Sequence, residues 1–227
     1  LPEALINFLV RLGWSYDDKE EIFSVDDLIE KFDLGRVGKS GSVFDIKKLQ
    51  WLNGQYVMKL DLAARTDAVI PFLQQAGLLE GGLSSERRAW LEKIVEAVGE
   101  RLTTLANITT YTSYFFTDDF EYDPQAVKKW WTKDNPADIL GGLRDVLAAI
   151  EGFKMEKVEG AIWTYLDEKG IQRIKGMQPL RIALTGKSVG PGLFDIIALL
   201  GREKVIERLN QAIRHLTQKH ESSPILP

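Results

Sequence analysis

Apolar residues recur at three- and four-residue steps along most of the chain, the spacing of one helical face. Leu5, Phe8, Leu9 and Leu12 form the first such set, with Pro2 suited to an opening turn and Gly13 to a stop. Ser24-Val25-Asp26-Asp27 opens a second helix, because a hydroxyl and a carboxylate three residues apart can each cap the other's backbone N–H. Its apolar set is Val25, Leu28, Ile29 and Phe32. Three glycines between 35 and 41 predict a loop. Phe44, Leu49, Trp51, Leu52 and Tyr56 predict a third helix that begins near Asp45. Residues 62–79 read as helical with a break at Pro71. Ser84-Ser85-Glu86 caps a helix over 86–105, whose buried face is Leu91, Ile94, Val95 and Val98. Residues 109–122, rich in Thr and aromatics, read on composition as a strand.

Asp123-Pro124 and Asn135-Pro136 each start a further helix, and another spans 154–169, ending at Gly170. Residues 177–179 read as a connector into a short helix over 180–185. Residues 186–192 form a Gly-rich loop, and 193–200 and 203–216 form a closing helical pair that turns at Gly201. Alternating strand patterns are nearly absent and no 20–50-residue repeat occurs. The expected fold is all-α with short connectors.

At 227 residues and 44% hydrophobic, the chain can bury the cores of one or two domains. It has no Cys, which excludes disulfides, thiolate metal sites and a Cys nucleophile. No apolar run approaches the roughly 18 residues of a membrane span, and no signal-peptide pattern is present. The expectation is a cytoplasmic protein without a membrane role. The opening Leu1-Pro2-Glu3, which leads straight into a helix, reads as a fragment or processed chain. The net charge of -4 argues against non-specific nucleic-acid coating. The charge is uneven, however. Between Gly170 and His220 there are nine basic and three acidic residues, while the first 169 residues are strongly acidic. A basic end can dock a polyanion through its local field, or it can simply be a solvated helical surface.

Catalytic patterns are missing. There is no P-loop and no GxGxxG after a strand, and Gly186-Lys187-Ser188 lacks the upstream glycine a P-loop needs. His215 and His220 are five apart, whereas metal ligands on one helical face prefer four, so both read as surface histidines. The acid pairs Asp17-Asp18, Glu20-Glu21 and Asp118-Asp119 fall in loops or caps, where acids are expected. The chain is expected to bind or to scaffold, with no covalent chemistry of its own.

Four segments point to a family. They are Leu1 to Leu9 (LPEALINFL) followed by Leu12-Gly13-Trp14; Phe44 to Asn53 (FDIKKLQWLN); Phe116-Thr117-Asp118-Asp119; and Gln178 to Gly186 (QPLRIALTG) followed by Pro191 to Ile196 (PGLFDI). In this order and spacing they resemble the C-terminal half of bacterial-type glutamyl-tRNA synthetases, whose patterns read F-D-x-x-K-L-x-W-[ML]-N and Q-P-L-R-x-A-L-T-G…P-G-L-F. The HIGH-type and KMSKS-type motifs of that family's catalytic domain are absent. The resemblance implies a stem-contact module over 1–61 and two helical anticodon-binding domains over 62–113 and 114–227. It also implies helix rather than strand in 109–122. It further implies tRNA-Glu and the N-terminal catalytic domain of the same enzyme as partners, and a monomer. Any ATP and Mg²⁺ would belong to the parent glutamate–tRNA ligase, with no cofactor in this chain and no activity from this chain alone.

The same resemblance nominates site residues. Lys48 and Trp51 match positions that contact the inner tRNA stem. A Lys suits a phosphate, whereas a Trp on a helix face near Leu49 and Leu52 is more often a core residue. Arg181 matches a residue that reads the first anticodon base. Leu193, after Pro191-Gly192, matches one that packs on the anticodon loop, since RNA is read on splayed bases by stacking and edge hydrogen bonds. A helix cap or an ion pair is the structural alternative for Arg181. Arg101 aligns with the position that inspects the third anticodon base. Its guanidinium only donates, which suits the O2 and N3 acceptors of cytosine and opposes the N1–H and N2–H of guanine. Arg101 therefore implies an enzyme that discriminates against tRNA-Gln. A one-residue slip would nominate Glu100 or Leu102 instead, and an ordinary surface arginine is the other alternative. Tyr111, Tyr114, Phe115 and Phe116 are expected mostly in the core, and one of Trp130 and Trp131 is expected to be partly exposed, because adjacent helical residues do not share a face. The competing reading of the whole chain is an all-helical protein-interaction scaffold with no RNA role, marked by an apolar groove and no basic surface near Arg181.

Overall fold

A computed structural model describes residues 1–17, 19–38 and 41–221, with side chains through 218. Among the described residues the chain is helical and has no strand. One isolated antiparallel bridge joins Trp14 and Val37. The helices are α1 (Pro2–Arg11), α2 (Val25–Lys31), α3 (Ile46–Lys59), α4 (Leu62–Gln75), α5 (Ser85–Val98), α6 (Asn107–Thr112), α7 (Pro124–Trp130), α8 (Pro136–Ala149), α9 (Met155–Glu168), α10 (Arg173–Thr185) and α11 (Leu193–Glu221). Single 3-10 turns occupy Leu34–Arg36, Gly99–Arg101 and Ser113–Phe115. The chain divides into two compact units, Leu1–Tyr111 and Thr112–Pro227. The expected boundary at 61/62 falls inside the first unit, between α3 and α4.

The helix starts follow local chemistry. Ser24 and Asp27 form the expected reciprocal cap, each accepting from the other's backbone N–H at 3.0 Å. Asp45 accepts from the N–H of Lys47 and Lys48, Ser84 from Arg87 and Asp123 from Gln125. Gly201 adopts φ 77, ψ 165 and breaks α11 at the expected turn.

Several expectations change. Residues 109–122 form no strand. They begin as the end of α6 and pass through a 3-10 turn, with Tyr114 and Phe115 buried. The helix expected over 86–105 stops at Val98, because Gly99 takes φ 54. Neither Pro71 nor Pro179 breaks its helix; α4 and α10 run through them. A helical proline costs about 3 kcal/mol. Fully burying side chains of the size of Val69 and Leu73, or of Leu180, Ile182 and Leu184, contributes about 1.5–3 kcal/mol each, so the burial wins. In α1 the buried stripe is Ala4, Asn7 and Phe8, while Leu5 and Leu9 are exposed. The buried Asn7 side chain donates to the Glu21 carbonyl at 2.9 Å and accepts from the Phe23 N–H at 2.8 Å, which ties α1 to the loop before α2.

In the first unit α1 packs on α2 and α3, and α4 on α5. Ala4, Phe8, Leu52 and Tyr56 form one core cluster; Trp14, Phe23 and Leu28 form another. The Tyr56 hydroxyl donates to the Phe23 carbonyl and links the two. The second unit packs α8, α9 and α10 around α11, with Leu140, Leu143, Ile162, Leu180, Ile196 and Leu209 fully buried.

Gly186 closes α10 at φ 74, where a Cβ would lie 2.3 Å from the Glu121 carbonyl oxygen. Its own carbonyl accepts from the Asp123 N–H at 2.8 Å. Gly186→Ala must bear both left-handed strain and overpacking against backbone. It is expected to lower the unfolding free energy by about 2–4 kcal/mol, read from urea denaturation.

Candidate nucleic-acid interface

Lys48 lies in the first turn of α3, with its Nζ 3.1 Å from Glu21 Oε1. Arg11 reaches the same oxygen at 3.3 Å. The Lys48 hydrogen bond, helped by Arg11, holds the Glu21 carboxyl below the usual carboxylate range. Three residues on, Trp51 is 43% exposed. It is therefore not the core residue its apolar neighbours suggested; Leu52, Asn53 and Tyr56 take the inward face instead. Lys48 and Trp51 thus present a cation and an aromatic edge on one solvated helix.

Arg101 ends the 3-10 turn that follows α5. It is exposed and makes no ion pair or side-chain hydrogen bond with any described residue, so its donors face solvent. Its neighbour Leu102 is fully buried and anchors the turn. Of the two slipped alternatives, Leu102 therefore has no access to a ligand, while Glu100 is exposed. The segment is pinned by Asn53, whose Nδ2 donates to the Thr103 carbonyl at 2.7 Å. Gly54 lets the α3 backbone approach closely, since a Cβ there would lie 3.2 Å from the Thr103 Cα. Asn107 Oδ1 then collects the Thr103 and Thr104 hydroxyls and the Thr104 N–H at the start of α6.

In the second unit Arg181 projects from α10 toward the loop over 186–192. Its Nη1 donates to the Pro191 carbonyl at 2.7 Å. The Thr185 hydroxyl donates to the Arg181 carbonyl at 2.7 Å and accepts from the Lys187 N–H at 3.1 Å, which stitches helix end to loop. Beneath the loop lies Tyr114, and a Cβ on Gly190 would sit 3.6 Å from Arg181 Nη1 and 3.9 Å from the Tyr114 hydroxyl. Burial pushes the Tyr114 pKa up, against the pull of the Arg181 charge. Lys187 is half-buried, and desolvation pushes its pKa down. Pro191 is buried and Leu193 is 5% exposed. Leu193 thus packs inward, and the structure brings Arg181 and Pro191 together while Leu193 seats the loop from below. Arg101, Lys48 and Trp51 belong to the first unit and Arg181, Pro191 and Leu193 to the second.

The basic surplus of the last segment is largely engaged inside the second unit. Arg173 stacks on Trp163 at 4.5 Å, Lys175 pairs with Asp134 at 2.9 Å, Lys204 pairs with Asp118 at 2.8 Å and Arg202 donates to the Ile150 carbonyl. Arg208 is 1% exposed. Its Nη1 donates to the Leu184 carbonyl at 2.6 Å. Its Nη2 donates to the carbonyls of Tyr114 at 2.6 Å and Thr117 at 3.1 Å, and to Asp118 Oδ1 at 3.0 Å. Arg208 is one of the nine basic residues after Gly170, yet it lies in the core and contributes nothing to a solvated basic surface. The available signal was its place in the apolar stripe of α11, between Val205, Leu209 and Ala212. His215 is likewise not a surface histidine; it packs against Tyr122 at 5.1 Å and Trp131 at 6.1 Å. The His220 side chain lies outside the described residues. Trp131 is buried and Trp130 half-buried, as adjacent helical positions require.

Residues 64–213 match the family described as the anticodon binding domain. The chain belongs to the anticodon-binding domain family. Arg101, Arg181, Pro191 and Leu193 all lie within that family's match, and so does the Arg208 cluster. Residues 1–51, with Lys48 and Trp51 at the end, match the catalytic domain of class I tRNA synthetases (E and Q). Among curated relatives, the glutamate–tRNA ligase of Desulforudis audaxviator is 43% identical over 94% of this chain and 43% of the relative. That of Moorella thermoacetica is 39% identical over 96% of this chain and 44% of the relative. A solved glutamate tRNA ligase from Elizabethkingia meningosepticum, in complex with its amino acid, superposes with a TM-score of 0.80 at 33% identity, over 95% of this chain and 41% of the other. This anticodon-binding family member thus spans less than half the length of these relatives. No helix among its described residues is long and apolar enough to cross a membrane.

Lys204 first and Arg208 second hold the Asp118 carboxyl below its ordinary value. A carboxylate depressed in the folded state contributes stability above its unfolded pKa, and that contribution is lost as pH falls through the folded one. Asp118 is half-exposed, so solvent screening keeps the effect modest. Thermal unfolding followed across the acid limb, below about pH 4, is expected to show a shallower loss of Tm for Asp118→Asn than for the unaltered chain.

Proposed function

We propose that this chain is the tRNA-docking part of a glutamate–tRNA ligase and that it grips the stem and anticodon loop of tRNA-Glu. The observation that carries the reading is the anticodon-binding match over residues 64–213 in a chain whose curated relatives over nearly its full length are glutamate–tRNA ligases. Local geometry supports it. Arg101 offers unspent donors on an anchored turn, Arg181 sits beside a Gly-rich loop, and Lys48 and Trp51 share an exposed helix face. Arg101 is proposed to favour the third-position cytosine of glutamate anticodons over the guanine of glutamine anticodons. In the parent enzyme, a cytoplasmic monomer on this reading, ATP and Mg²⁺ serve acylation on the N-terminal catalytic domain and not on this chain.

One observation favours a protein partner for part of the surface. The first unit carries an open apolar groove of about 630 Å³ lined by Leu1, Leu5, Leu49, Phe72 and Leu105. Residues 1–51 match the catalytic-domain family, so the proposed occupant of this face is that domain. The pure scaffold reading keeps the groove but predicts no tRNA binding.

Gel shifts with tRNA-Glu separate the two readings. Replacing the third anticodon base C by G is expected to weaken binding by about 1–3 kcal/mol, roughly 5- to 150-fold, and Arg101→Ala should abolish that difference. Equal binding of both RNAs by the unaltered chain would remove the discriminating role. Lys48→Ala is expected to weaken all tRNA variants alike and to reduce the slope of log K against log salt by about 1.

A further inference from the structure

We infer that Arg208, which has no access to RNA, is a positioning residue for anticodon reading: its buried guanidinium sets the end of α10 and the underlying Tyr114, the two supports on which Arg181 and its loop rest. The inference stands on the proposed anticodon function and adds a residue to it. The Leu184 carbonyl is among the last of α10, where backbone acceptors lack a helical partner. Arg208 Nη1 supplies that partner at 2.6 Å. One residue later Thr185 begins the stitching into the loop, and three residues earlier is Arg181 itself. The other nitrogen, Nη2, holds the Tyr114 carbonyl at 2.6 Å, and the Tyr114 hydroxyl and Arg181 Nη1 both end beside Gly190, where a Cβ would lie 3.9 Å from the first and 3.6 Å from the second. The same nitrogen reaches the Thr117 carbonyl and Asp118, and the guanidinium lies 4.8 Å over the Phe120 ring. One planar cation thus joins the helix that carries the reading arginine to the segment that carries Tyr114.

Stability alone is a weak explanation for such a group. Buried ionic clusters replaced by well-packed apolar residues are often no less stable. A lysine would carry the charge but not the flat fork that meets acceptors on separate segments. What the fork uniquely supplies is a fixed distance between the Leu184 and Tyr114 carbonyls. Arg181 lies one helical turn from the first, and the side chain of the second ends near Arg181 Nη1 beside Gly190.

The test uses the 227-residue chain with tRNA-Glu and with a variant altered at the first anticodon base. The readout is the ratio of the two dissociation constants. Arg208→Lys, checked for folding by circular dichroism, is expected to lower that ratio roughly tenfold, toward the value of Arg181→Ala. The salt slope should stay unchanged, because no phosphate contact is touched. In an Arg181→Ala background, Arg208→Lys should lower the ratio no further, the non-additivity expected of residues that act as a unit. A folded Arg208→Lys protein that weakens both RNAs equally, or neither, overturns the inference. If the Arg208 variant does not fold, Asp118→Ala removes the carboxylate acceptor and leaves the three backbone carbonyls in place. A smaller drop in the ratio then supports the role and an unchanged ratio overturns it. Equal binding of the two RNAs by the unaltered chain would instead remove first-base reading itself, and the role of Arg208 with it.

Discussion

A guanidinium buried in an apolar interior has to find its acceptors within the protein, and in the second unit the two terminal nitrogens of Arg208 find theirs, while its Nε has no hydrogen-bond partner among the described residues. Its terminal nitrogens collect three backbone carbonyls and one carboxylate, from α10, from the segment over 114–118 and from Asp118. The Leu184 and Tyr114 carbonyls would otherwise be buried acceptors without this donor, at a cost of about 1–3 kcal/mol each. The helix that carries Arg208 is the one around which α8, α9 and α10 pack, so the polar knot and the apolar core share an axis. Gly186 continues the same construction, because only a residue without a Cβ can close α10 against the Glu121 carbonyl.

The first unit uses neutral amides for the same purpose. Asn7 is fully buried and pairs on both sides of its amide with the backbone at Glu21 and Phe23. The Tyr56 hydroxyl takes the Phe23 carbonyl. These bonds place Glu21, which in turn holds Lys48 and Arg11. Asn53 performs a parallel task for the turn that carries Arg101. In each case a buried polar side chain on a rigid helix fixes a connector, and the connector presents the charge.

The distribution of charge looks different once partners are assigned. A net surplus of basic residues after Gly170 suggests a field for RNA, yet Arg173, Lys175, Arg202, Lys204 and Arg208 each have an internal partner. Binding on the proposed reading would then depend on a few placed cations more than on bulk potential, in keeping with the acidic total. It also explains why composition by itself pointed nowhere: cations that cap carbonyls and cations that meet phosphates count the same in a sum.

Capping chemistry was legible in the sequence because it acts across two to four residues: Ser24 with Asp27, Asp45, Ser84 and Asp123 all sit where they were expected, and Gly201 turns α11 as expected. The all-α class and the family followed from such spacing and from the four anchor segments. The tertiary structure alone decided which faces turn inward. It exposed Trp51 beside Leu52, buried Leu193 beneath its loop, carried α4 and α10 through their prolines and drew Arg208 into the core. Those outcomes depend on neighbours that lie far along the chain, up to 94 residues away for Arg208 and Tyr114. A local pattern records what a residue can satisfy within a turn or two, and the energy that settles its burial comes from partners the pattern does not contain.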